Sequence, residues 1–106
     1  MKINILIMSY KKIIKLENSD VKNKRFKVTL SNGDVYNFGL DGGKTYIDEG
    51  NKEKRLNYWA RHLGNPVEEY RIKNLVPSPS LFSAYLLWGE STDIRENVRN
   101  LNKLFH

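Results

Sequence analysis

An α+β fold is what the sequence predicts: a small antiparallel sheet built around a hairpin over residues 25–39, packed against two or three helices. Three stretches carry that expectation. "RFKVTLSNGDVYNF" alternates apolar and polar residues on both sides of Ser31-Asn32-Gly33; "NKEKRLNYWARHLG" repeats apolar side chains at helical spacing before a glycine; and "SLFSAYLLWG" is a nearly unbroken apolar run closed by another glycine.

Residues 3–16 mix Ile3, Ile5, Ile7, Ile13 and Ile14 with lysines, and β-branched residues in that density suit one or two strands. Residues 1–24 therefore form a basic amino-terminal segment of strand and loop, the polar run from Glu17 to Lys24 being the loop, and residues 25–106 form a single α+β domain. In the hairpin, parity decides the loop. A two-residue Asn32-Gly33 turn would pair Val28 with Asn37 and split the aromatics, whereas a three-residue loop with Gly33 left-handed pairs Phe26 with Phe38 and Val28 with Tyr36 on one apolar face. Lys27 and Thr29 then point the other way. After the hairpin, Tyr46-Ile47 reads as extended.

The first helix spans about Asn51 to Leu63 and stops at Gly64, with Pro66 beyond. Leu56, Trp59, Ala60 and Leu63 fall at i, i+3, i+4 and i+7 and make the expected buried stripe, with Lys54, Arg55, Tyr58, Arg61 and His62 as a basic and aromatic shoulder beside it. Pro66, Pro77 and Pro79 give the next stretch a linker-like look. Ser80 is the expected cap of a short, buried helix over Leu81 to Trp88, and a last helix runs from near Ser91–Asp93 to Phe105 with Ile94, Val98 and Leu101 in register.

At 106 residues the chain is long enough for one domain, and 40% hydrophobic residues can supply its core. The absence of cysteine excludes disulfides and thiolate metal sites, and with only His62 and the terminal His106 no metal centre and no cofactor is expected. The run "MKINILIM" is short, broken by Asn4 and followed by Lys11 and Lys12, so it reads as no export signal; Met1 and Met8 both stand as candidate starts. No apolar run reaches the roughly 20 residues needed to span a bilayer.

The net charge is +6, and its placement is uneven: residues 1–30 carry eight Lys/Arg against two acids, and residues 51–76 six against three. A surface of that kind attracts an acidic protein, nucleic acid or anionic lipid, or is simply a solvated face. "GLDGGK" hints at a phosphate loop. However, only Gly43-Lys44-Thr45 fits its tail, and Phe38 stands where the first glycine is due. His62 is the one proton-transfer candidate, with Asp41, Asp48, Glu49, Glu68 and Glu69 as possible partners, yet a histidine beside arginine on a helix shoulder is more often a hydrogen-bonded surface residue. For nucleic acid, Tyr46, Tyr58 and Tyr70 near Arg55, Arg61 and Arg71 could stack on bases and hold phosphates, without any helix-turn-helix, zinc-finger or RNP-like motif.

At "VTLSNGDVYNFGLDGGKTYID", "RLNYWARHLG" and "SLFSAYLLWGES" the chain resembles a family of small uncharacterised basic proteins encoded by large nucleocytoplasmic DNA viruses. The matching features are Phe38-Gly39 closing the hairpin, Tyr46 after the glycine loop, Tyr58-Trp59-Ala60-Arg61-His62, and Leu86-Leu87-Trp88, over roughly residues 25–105. The sequence departs at Thr45, where the family has Asp, at Glu49, where it has His, and at Phe82 and Tyr85, which replace indoles. The resemblance implies a viral origin and a place in the particle, and no chemistry.

Together these readings point to a non-enzymatic interaction protein, a minor virion component in the particle or the infected-cell cytoplasm that holds an acidic protein surface, other virion proteins among its partners. The binding residues would be Lys11, Lys12, Tyr46, Lys54, Arg55, Tyr58, Arg61, His62 and Arg71. The alternative is a nucleic-acid-binding protein using the same surface.

Overall fold

The structure, a computed structural model of the chain, describes residues 11–105. Ile3, Ile5 and Ile7 of the expected first strand, Met8 as a start, and His106 lie outside the described residues.

Three strands, β1 (Ile13–Asn18), β2 (Lys24–Leu30) and β3 (Val35–Leu40), form an antiparallel sheet in the order β1-β2-β3. The hairpin has the three-residue loop that parity demands: Phe26 pairs with Phe38 and Val28 with Tyr36, and the Leu30 N–H donates to Asp34 O at 2.8 Å. Gly33 takes φ +94°, a backbone conformation that a Cβ would strain. Val28, Leu30 and Phe38 are buried on one face, while Lys27 on the other lies 3.8 Å from Glu17 and 4.0 Å from Asp20. Glu17 and Asn18 belong to β1, so the expected loop over Glu17–Lys24 shortens to residues 19–23.

Among the described residues five helices follow, more than the two or three expected. The first, α1 (Tyr46–Glu49), replaces the extended segment read at Tyr46-Ile47. Its cause is local: the Thr45 N–H and hydroxyl both donate to the Asp48 carboxylate at 2.8 Å, closing a turn that Gly50 ends in the left-handed region. Next, α2 (Lys52–Leu63) starts at the Asn51 cap and stops at Gly64 as expected. The proline-rich stretch is no linker, since α3 (Pro66–Lys73) forms there with the Asn65 side chain accepting from Val67 N and Glu68 N, and Pro66 in the first turn, where its missing N–H is no loss.

The apolar run forms α4 (Pro79–Phe82), which continues as a π-helical segment over Ser83–Leu87; the cap is Ser78 and not Ser80. Last comes α5 (Ile94–Leu104), capped by Asp93. The core lies between the apolar sheet face and these last two elements, where Leu30, Phe38, Leu81, Phe82, Leu86 and Leu101 are each at most 1% exposed. A smaller cluster of Tyr58, Ile72 and Ala84 joins α2 and α3 to the π-helical segment. β1 and α5 are tied by an amide pairing: Ile13 N–H donates to Asn102 Oδ1 (2.8 Å) and Asn102 Nδ2 donates to Ile13 O (3.0 Å).

Candidate functional site

A π-helical turn uses one more residue than an α-turn, so the end of the Ser83–Leu87 segment presents its carbonyls off the usual axis. Trp88 O and Gly89 O turn towards α2 and find donors there. Arg55 Nε lies 2.9 Å from Trp88 O and 2.8 Å from Gly89 O, and Trp59 Nε1 donates to Trp88 O at 2.8 Å. One turn on, Tyr58 lies flat on Trp88, with ring centres 4.6 Å apart and planes 7° apart, and the His62 ring lies 4.0 Å from that of Tyr58, tilted by 32°. His62 Nδ1 is hydrogen-bonded to the Glu68 carboxylate of α3. The inward face of α2 is therefore Arg55, Tyr58, Trp59 and His62, themselves at i, i+3, i+4 and i+7.

That arrangement corrects the expected stripe. Leu56 is 66% exposed and Ala60 faces solvent, while Tyr58, expected outside, is 8% exposed. Trp59 is half-buried and meets Tyr85 in a T-shaped contact, ring centres 5.4 Å apart. Burial raises the Tyr58 phenol well above its ordinary value, the nearby Glu68 carboxylate adds to the shift, and Arg61 opposes it.

The nine expected binding residues do not form one surface. Tyr46 and Tyr58 are buried. Arg55 gives its Nε to two carbonyls, and Lys12 caps the end of α5, donating to Asn102 O at 2.6 Å and Phe105 O at 3.3 Å. Lys11 is half-buried, and Lys54 pairs with Glu49 at 2.9 Å. Of the nine, only Arg61 and Arg71 are exposed guanidiniums with no hydrogen bond or ion pair among the described residues. Of the acids offered for His62, the structure selects Glu68. Asp48 is committed to Arg25, whose two nitrogens meet its oxygens at 2.7 and 2.6 Å and, with Thr45, hold its carboxyl well below the usual range against the opposing effect of burial.

Among the concave regions around this framework are three that contain expected site residues. One of about 390 Å³ contains His62, Glu68, Ser80 and Ser83, but no hydrogen bond joins either serine to the histidine. A second, of about 440 Å³, is a shallow apolar trough along α3, formed by Pro66, Val67, Tyr70, Arg71 and Val76. The third, of about 520 Å³, is a groove between α2, the π-helical segment and α5, which includes Arg55, Trp59, Tyr85, Asn100 and Lys103. Sequence reading missed Tyr85, Asn100 and Lys103, which only the docking of α5 beside α2 brings together. Among the described residues no group of three or more His, Cys, Asp or Glu side chains could hold a metal ion.

No curated protein and no solved structure matches this chain. Over residues 14–62, less than half of its length, running from β1 into the last turn of α2 and ending on His62, it is similar to DUF5754, a family of unknown function.

Proposed function

We propose that the protein is a non-enzymatic interaction protein whose α2–α3 surface holds an acidic protein partner, and, from its resemblance to small basic viral proteins, that it is a minor component of a virus particle or of the infected-cell cytoplasm. The observation that carries the binding reading is the trough on α3: Val67 and Tyr70 are 57% and 64% exposed beside Arg71, and Arg61 on α2 is exposed and has no hydrogen bond or ion pair among the described residues. An apolar strip with tyrosine and arginine at its edge suits a protein partner that inserts an apolar side chain and surrounds it with carboxylates. Nucleic acid uses the same cations but has little need of exposed Val67 and Leu56, since such interfaces are polar. No helix among the described residues is long and apolar enough to cross a membrane.

The test titrates the protein with acidic peptides carrying a single leucine or phenylalanine, and with generic DNA and RNA, across salt concentrations. Peptide binding that falls about tenfold in Tyr70→Ala or Arg71→Ala, a typical loss for an anchoring residue, supports the reading. Steeply salt-dependent nucleic-acid binding with no peptide binding overturns it. Mass spectrometry of purified particles tests the placement in the virion, which the protein's absence there would refute.

A further inference from the structure

We propose that the groove between α2 and α5 is a site for a nucleotide, its base held against Trp59 and Tyr85 and its phosphate held by Arg55 and Lys103.

Several side chains around the groove are already committed to partners within the fold. Asn97, at the groove floor, uses its whole amide: its Oδ1 accepts from Ser91 N (3.0 Å), and its Nδ2 donates to Leu86 O (3.0 Å) and Ser91 O (2.8 Å). Gly89 leaves room for that amide, because a Cβ there would lie 2.7 Å from Asn97 Cγ and 2.2 Å from Tyr85 O. Arg55 Nε and Trp59 Nε1 are fixed on the carbonyls above. The floor is thus rigid before any ligand arrives.

The residues whose polar groups are left uncommitted line the same groove. Arg55, Tyr85, Glu90, Asn100 and Lys103 all line the groove, and neither terminal nitrogen of Arg55, nor the Lys103 ammonium, the Asn100 amide, the Tyr85 hydroxyl or the Glu90 carboxylate makes a hydrogen bond or ion pair within the described residues. Donors and acceptors of this kind around a cavity of about 520 Å³ are what a small polar ligand needs for orientation. Trp59 and Tyr85 meet at 89°, so a flat ring lying on one presents its edge to the other, the favoured geometry on both sides. Two cations then call for an anion on the same ligand.

A planar ring with an anionic arm is a nucleotide. Glu90 refines the choice, because a carboxylate only accepts hydrogen bonds and its two oxygens match the ring N–H and adjacent amino group of guanine. Asn100 can both donate and accept along a base edge. The nucleotide could be free or a unit of a single strand, and the chemistry is shared between the two.

The experiment follows the full-length protein by two-dimensional proton–nitrogen NMR while guanosine, adenosine and uridine monophosphates, and separately a short guanine-containing single strand, are added up to the millimolar range. Trp59 Nε1–H and Asn100 Nδ2 are the reporters, and Trp88 Nε1–H is the internal control. Selective movement of the two reporters, strongest with the guanine nucleotide and weakened about fivefold or more by Lys103→Ala or Asn100→Ala, supports the site. Both positions are on the outer part of α5 and the spectrum itself verifies folding. Reporter movement with the strand alone, lost in the same variants, supports the site with a strand as its source. Silence of both reporters with every ligand, or movement unchanged in both variants, overturns it.

Discussion

Removing the side chain of Asn97 tests how the turn between the π-helical segment and α5 is held. The residue is 1% exposed and makes three hydrogen bonds, two as donor and one as acceptor. Asn97→Ala leaves the Leu86 and Ser91 carbonyls and the Ser91 N–H without those partners. At about 1 kcal/mol for each bond the loss is roughly 3 kcal/mol. That is a large part of the roughly 5–15 kcal/mol that holds a domain folded. It corresponds to a fall in melting temperature of roughly 12–24 °C for a chain of this size, and to a urea midpoint lower by roughly 1–3 M. Circular dichroism in urea, with Asn100→Ala as a neighbouring control on the same helix, measures it. A loss below about 1 kcal/mol, or an equal loss in the control, would refute the assignment of the turn's stability to this amide.

Two further outcomes follow from the charged and aromatic contacts. Asp48 has a native pKa lowered chiefly by Arg25, so its contribution to stability is fully present above its unfolded value near 4 and declines as pH falls through the native value. Asp48→Asn should flatten that acid-side decline in denaturation midpoints between neutral and acid pH; an unchanged decline would place its origin in other carboxylates. Tyr58 has a raised native pKa, so stability should fall as pH rises past its unfolded value of 10.0. Tyr58→Phe keeps the stack on Trp88 and removes that alkaline fall, while Tyr58→Ala, like other large aromatic truncations, costs about 3–5 kcal/mol at neutral pH. Urea titrations at neutral and alkaline pH separate the two, and equal stability of the Ala and Phe variants would contradict the stacking role.

The hairpin was legible because a strand's two-residue period turns a loop-length choice into a yes-or-no question about which side chains share a face. Gly64 likewise marked the end of α2, and the polar stretch Ser91–Asp93 the neighbourhood in which α5 starts. The facing of α2 was not legible. Leu56 and Ala60 outweigh Tyr58 on a hydrophobicity count, yet the helix is oriented by Arg55 and Trp59 reaching carbonyls more than 25 residues away and by a stack on Trp88. No local pattern encodes a partner that distant. The two helices missed are a different case, because Asn65-Pro66 and Thr45 with Asp48 are local start signals. There, counting prolines as breakers hid the first and glycine-rich surroundings hid the second. For the site, the cations were visible but their employment was not: Lys12 and Arg55 look free in the sequence and are engaged on backbone oxygen in the fold.

The widened turn at Ser83–Leu87 also sets a rule about chain length. Deleting any one of its residues would let the coil close into an ordinary α-helix and swing everything downstream by about 100° about the axis. Trp88 would leave Tyr58, and the oxygens that orient α2 would look elsewhere, without a single contact residue having been exchanged. This part of the molecule should tolerate replacement of a side chain by one of similar size and shape better than any change in the number of residues.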